Sequence, residues 1–136
     1  MRIFLDANVL FSAAKSDGAV RRLLHMLGEA GHECWADDYV AEEARRNIAS
    51  KAPDAVSVLE GILSTLRRPR AHRVASPPKA ARALPEKDQP VLAAAIGAGC
   101  QALVTGDRTH FGGFYGKTLG GVTIHSPRSL AETIFL

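Results

Sequence analysis

Short apolar runs alternate with amphipathic stretches from one end of the chain to the other. Met1 to Leu5 is an apolar run ending at Asp6 and reads as a buried strand. Asn8 to Ala14 fits a short helical turn. Asp17-Gly18 opens a clearer helix, because Val20, Leu23, Leu24 and Leu27 recur at helical spacing before Gly31 stops it. Glu33 to Ala36 suits a second strand. Asp37 or Asp38 then caps a helix whose apolar stripe is Val40, Ala44 and Ile48. Pro53 begins another helix carrying Ala55, Leu59, Ile62, Leu63 and Leu66.

The segment 67–73 is basic and holds Pro69, so it reads as a loop, leading to a short strand near Val74 that Pro77-Pro78 ends. A short helix is expected over Lys79 to Ala83. Pro90 belongs in the first turn of the next helix, since an interior proline costs about 3 kcal/mol. That helix runs to Ile96, and Gly97 and Gly99 terminate it. Ala102 to Thr105 is a compact strand beside Asp107. The stretch from His110 to Gly121 is rich in glycine and aromatics and reads as an ordered loop. Val122 to His125 is a last strand, and Ser126-Pro127 opens a final helix with Leu130 and Ile134.

Strands alternating with helices imply βαβ units, a parallel sheet and helices on both faces. The 136 residues and 14.5 kDa suit one domain over 1–136. Hydrophobic residues at 46% and charged residues at 23% exclude a disordered or collagen-like chain. No apolar run approaches the roughly 20 residues that cross a bilayer, and the N-terminus lacks signal-peptide features, so a cytoplasmic protein without a membrane partner is expected. Cys34 and Cys100 lie in apolar surroundings and read as buried thiols rather than a disulfide. The net charge of +3 is compatible with a nucleic-acid partner without demanding one.

Ligands of such sheets sit beyond the carboxyl ends of the strands. Asp6 and Asp107 follow strands and so fall at one edge. Read singly, Asp6 is equally a helix cap, Asp107 a turn residue, and Asp88 an acid suited to a helix dipole. Glu43 lies on the flank of its helix's apolar stripe, whereas Glu42 points into solvent. Four carboxylates from separate elements crowded at one edge require a compensating cation. Oxygen ligands suit Mg²⁺ or Mn²⁺, which activates water and polarises phosphoryl oxygens. The matching reaction is phosphodiester hydrolysis.

The stretches F-L-D-A-N-V-L at 4–10, E-A-R-R-N at 43–47, D-Q-P-V-L-A-A-A-I at 88–96 and L-V-T-G-D at 103–107 resemble the four motifs of PIN-domain nucleases. Many bacterial members are VapC-type toxins. The resemblance runs in order from Met1 to about Ser129 and implies a three-layer α/β/α sandwich with a parallel central sheet, often dimeric. It implies Mg²⁺- or Mn²⁺-dependent endoribonuclease activity, an RNA substrate and a protein antitoxin. By position, Asp6, Glu43, Asp88 and Asp107 match the family's acidic metal site, and Asn8 and Thr105 match its supporting polar residues. Thr109 stands where many members carry a further acid, which weighs against a two-metal mechanism but not against the nuclease class.

Arg45 and Arg46 lie beside Glu43, and Lys87 and Arg108 flank the other acids; Arg45, Arg46 and Arg108 are the candidate RNA contacts. For the basic segment 67–73, a solvated loop and phosphate contact remain equally open. His110 reads as a loop-surface side chain. Trp35 and Tyr39 read as packing at the sheet edge rather than base-stacking platforms. An aspartyl-phosphate phosphatase would need a second Asp where Asn8 stands. The remaining alternative is a catalytically weak PIN-fold module that binds RNA or protein. An apolar groove between the helices at 19–30 and 53–66 is a place for a partner helix.

Overall fold

The computed structural model describes residues 1–69 and 79–136. The strand expected near Val74 and the basic residues from Arg70 to Arg73 lie outside the described residues. Strand β1 (Arg2–Leu5) leads directly into α1 (Ala7–Lys15), a fuller helix than the short turn expected there. Helix α2 (Ala19–Glu29) is closed by Gly31 at φ 85°, a left-handed conformation that glycine adopts without a Cβ clash. Strand β2 (Glu33–Trp35) follows. Asp37 then caps α3 (Asp38–Lys51), its Oδ1 accepting the Val40 N–H at 3.1 Å.

The apolar helix after Pro53 begins as a 3₁₀ turn and continues as α4 (Val56–Ser64). After a 3₁₀ turn at Lys79–Ala83, α5 (Gln89–Gly97) carries Pro90 in its first turn. Strand β3 (Ala102–Val104) precedes α6 (Arg108–Phe111) and a 3₁₀ turn at Gly112–Phe114. Strands β4 (Thr118–Leu119) and β5 (Val122–His125) and helix α7 (Pro127–Phe135) complete the chain. Ser126 and Ser129 form a reciprocal capping box that opens α7.

The sheet order is β2-β1-β3-β5-β4. Strand β1 pairs in parallel with β2 (Ile3↔Cys34) and with β3 (Phe4↔Leu103), and β3 pairs in parallel with β5 (Leu103↔Ile124). Strand β4 is the exception, antiparallel to β5 at the edge. The loop expected over His110–Gly121 therefore holds the end of α6, a 3₁₀ turn and a short strand. Gly120 and Gly121, both at positive φ, supply the tight two-residue turn that folds β4 back on β5.

Successive strand side chains point to opposite faces. Ile3, Phe4 and Leu5 of β1 and Ala102, Leu103 and Val104 of β3 are all buried, so both faces of the central strands are covered. The layers are α/β/α. Each fully buried large side chain contributes roughly 1.5–3 kcal/mol over exposure, and Phe4, Leu5, Leu10, Leu92, Leu103 and Ile124 belong to this core. Helix α1 packs against α2, α3 and α4, while α5 lies against β3 and β5. Cys34 and Cys100 are free thiols, and burial pushes them up to about 11 and about 12 respectively. No helix among the described residues is long and apolar enough to cross a membrane.

The connection from β1 goes to one neighbour, β2, and the chain then crosses to the other, β3. The carboxyl ends of β1 and β3 thus form a topological switch point, where a parallel sheet opens a crevice.

Candidate metal centre

At that crevice, Asp6 extends β1 by one more ladder bond, its N–H reaching the Val104 carbonyl at 3.0 Å. The residue is also the N-cap of α1. One carboxylate oxygen accepts the Ala7 N–H at 2.8 Å, and the other accepts the Thr105 hydroxyl at 2.8 Å. Cap and site residue are therefore the same side chain. Thr105, fully buried, also receives the Asp107 N–H at 3.1 Å and the Asn8 amide at 3.2 Å. The Asn8 carbonyl oxygen accepts the Gly106 N–H at 2.8 Å. Asn8 and Thr105 thus tie the turn after β3 to the start of α1. The Tyr115 hydroxyl donates to the Thr105 carbonyl at 2.9 Å and holds that turn from beyond it.

Asp107 caps α6, with its Oδ1 accepting the N–H groups of Thr109 and His110 at 3.1 Å each. Asp88 occupies the N-cap position of α5 but makes no side-chain capping bond. Its carboxylate is instead buried toward the crevice, and among the described residues its Oδ2 has no partner in hydrogen-bond geometry, only His110 at ion-pair distance. Glu43 and, one turn later, Asn47 approach from α3. Asp6, Asn8, Glu43, Asn47, Lys87, Asp88 and Asp107 together line a cleft of about 90 Å³.

The electrostatics follow from this crowding. Burial pushes the Asp6 carboxyl from 3.8 up to about 6, against the opposing pull of the Thr105 and Ala7 hydrogen bonds and with further push from Glu43 and Asp88. Asp88 is raised as well, first by burial; His110 and Lys87 pull it back down, and Asp107 and Glu43 add to the upward push. Burying a carboxylate this way is costly unless a cation completes the site.

The structure brings Asp6, Asn8, Glu43, Asp88, Thr105 and Asp107 to one place. Arg45 points elsewhere: its guanidinium grips Glu60 at 2.9 Å twice and Glu42 at 2.8 Å. Arg46 does not line the cleft, and Arg108 begins α6 beside Asp107. Three residues at the site carry little signal in the sequence. Lys87 shows there only as a flank to the acids, and Asn47 only as the end of a motif. His110 reads as a surface side chain, yet it sits with Nδ1 2.8 Å from Asp107 Oδ2 and 3.1 Å from Asp88 Oδ2. A helical step of three from the capping Asp107 is the one signal that points to it. Tyr39 is exposed, and its hydroxyl donates to the Lys87 carbonyl at 3.0 Å, steadying the approach to Asp88.

The donor set fits a divalent cation. Ligand atoms of Asp88, Asp107 and His110 lie within 4.8 Å of one another, and the Asp88 oxygen among them is buried without a hydrogen bond from the described residues. The structure is thus an α/β/α domain with an acid-lined crevice at its switch point, the place where such sheets bind ligands. A family model described as the PIN domain matches residues 2–109, and the chain belongs to that family.

Two solved structures share the fold. One is VapBC2 from Rickettsia felis bound to a DNA fragment from their promoter. It is similar at TM-score 0.63 and 14% identity, covering 93% of this chain and 98% of that one. The other is VapBC-1 from nontypeable Haemophilus influenzae, at TM-score 0.58 and 9% identity, covering 94% and 99%. No curated protein sequence matches the chain significantly.

Proposed function

We propose that this chain is a Mg²⁺- or Mn²⁺-dependent endoribonuclease, the toxin of a type II toxin–antitoxin pair. The observation that carries the reading is the convergence of Asp6, Glu43, Asp88 and Asp107 on one small cleft, with Asp6 raised to about 6 and a buried Asp88 oxygen that accepts no hydrogen bond from the described residues. Asp6, Asp88 and Asp107 would hold the ion, with Glu43 completing the shell or orienting a water. When bound there, a divalent ion would supply Lewis acidity toward a phosphoryl oxygen and lower the pKa of a water nucleophile. Thr105 and Asn8 keep the Asp6 carboxylate in one orientation, so little reorganisation accompanies the reaction. Lys87 at the cleft offers positive charge to an RNA phosphate, and Arg108 and Arg46 extend that charge outside it. Arg45 contributes only by releasing Glu60 and Glu42.

The antitoxin reading is supported by the family resemblance and by the surface between α2 and α4. A groove of about 550 Å³ there is lined by Leu24, Gly28, Val58, Gly61, Ile62 and Leu66 among others. Its apolar floor suits the face of an amphipathic helix. The family resemblance also supports a cytoplasmic homodimer, which light scattering of the purified protein checks. For the activity itself, pure protein is incubated with total RNA with and without Mn²⁺, and the cut ends are mapped. Cleavage at defined ends only with the ion, lost in Asp6→Asn, supports the proposal. No cleavage under any condition favours a binding module on the same fold.

A further inference from the structure

We infer that His110 is a direct nitrogen ligand of the ion, making the site selective for first-row transition ions over Mg²⁺. This rests on the metal-centre reading above and specifies its chemistry. Asp88 is more than nine-tenths buried, and its Oδ2 and the His110 Nδ1 both lack hydrogen-bond partners among the described residues. They nevertheless lie 3.1 Å apart, and Nδ1 is 2.8 Å from Asp107 Oδ2. The distances are those of contact, while the directions are not those of a donated N–H. Both contacts fall within ion-pair distance without meeting hydrogen-bond geometry, and the three atoms together make a donor set for one shared cation. Adjacent ligands on an octahedral ion at 2.0–2.1 Å are about 3 Å apart, and the His110 nitrogen stands at that spacing from both carboxylate oxygens.

The start of α6 aims the imidazole. Thr109 offers no carboxylate, and His110, one residue on, brings its Nδ1 to both Asp88 and Asp107 from the first turn of α6. Asp107 fixes that turn by accepting both the Thr109 and His110 N–H groups. Exchanging an oxygen ligand for imidazole favours Co²⁺ over Mn²⁺ and both over Mg²⁺, which prefers oxygen alone.

The test titrates Mg²⁺, Mn²⁺ and Co²⁺ separately into wild type and His110→Ala by calorimetry. Pulsed electron paramagnetic resonance on the Mn²⁺-loaded wild type, with and without ¹⁵N-histidine labelling, adds a readout that needs no variant. The expected result is an affinity order Co²⁺ > Mn²⁺ > Mg²⁺. His110→Ala should narrow the Mn²⁺ to Mg²⁺ preference by about tenfold or more. A nitrogen coupling should be present and should respond to the label. Asp88-dependent Mn²⁺ binding without nitrogen coupling overturns the inference and leaves the metal centre standing. Tighter binding of every ion in His110→Ala also overturns it, since His110 would then be a resident counter-charge. No divalent binding in wild type overturns both.

Discussion

The molecule has two concave regions of opposite character. The cleft at the carboxyl ends of β1 and β3 holds about 90 Å³ and is lined mainly by acids and amides, while the groove between α2 and α4 holds about 550 Å³ and is lined mainly by apolar side chains and glycines. The smaller one is built under constraint. Nearly every polar atom around Asp6 is fixed by a bond spanning the two strand ends, and the carboxylates are held together against their own repulsion. The groove is shaped by packing between α2 and α4, and the charged side chains in its lining are already engaged, Arg21 by the Ala13 and Ala14 carbonyls and Glu29 by His25. Volume therefore marks the surface suited to a partner, while buried, compensated charge marks the place where chemistry can happen.

The largest effect expected from this contrast is on activity. Asp6→Asn should lower ion-dependent RNA cleavage by about a hundredfold or more, measured as initial rates at saturating Mn²⁺. The side chain is nearly isosteric, so the circular dichroism spectrum should be unchanged.

Next comes pH. The folded pKa of Asp6 is raised from 3.8 to about 6, so its stabilising contribution is complete below 3.8 and is lost as pH rises through about 6. The loss is about 3 kcal/mol on the metal-free protein, at roughly 1.4 kcal/mol for each pH unit separating the folded and unfolded values. Denaturant titrations in a chelator at pH 4 and pH 7 should show this drop in wild type relative to Asp6→Asn, and saturating Mn²⁺ should restore the loss at pH 7.

Thr105→Val tests the scaffold of the cleft. Its hydroxyl serves Asp6, Asn8 and the Asp107 N–H, so removing it should cost about 2 kcal/mol in chemical denaturation and raise the Asp6 pKa further, because a lowering hydrogen bond is gone. The smallest effect is expected in the groove. A Cβ on Gly61, inside α4, meets nothing within 4 Å, so Gly61→Ala should stabilise the fold by about 0.5–1 kcal/mol and leave Mn²⁺ affinity unchanged. A change in ion binding there would show that the two regions are coupled.

Much of this architecture is legible from periodicity. Strand β1 ends where its apolar run meets Asp6, Pro90 falls in a first turn, and Ser126-Pro127 opens α7, because each rests on a local physical rule. Strand β4 is not legible: its two residues carry no period, and only the Gly120-Gly121 turn hints at a hairpin. In the site, Asp6, Asp88 and Asp107 can be placed at one edge because each follows a strand or opens a helix, and Glu43 because it flanks the apolar stripe of α3. His110 and Asn47 escape such reasoning because their roles depend on how α6 and α3 are aimed, which tertiary packing decides. Arg45 looks available beside Glu43, yet Glu60, on the neighbouring helix α4, occupies it.

The most direct test of the acidic cleft is calorimetric titration of Mn²⁺ into the wild-type protein and Asp88→Asn at pH 7. Saturable binding in the wild type that disappears in the variant is the predicted result. Absence of binding in the wild type, or equal binding in both proteins, would contradict the account.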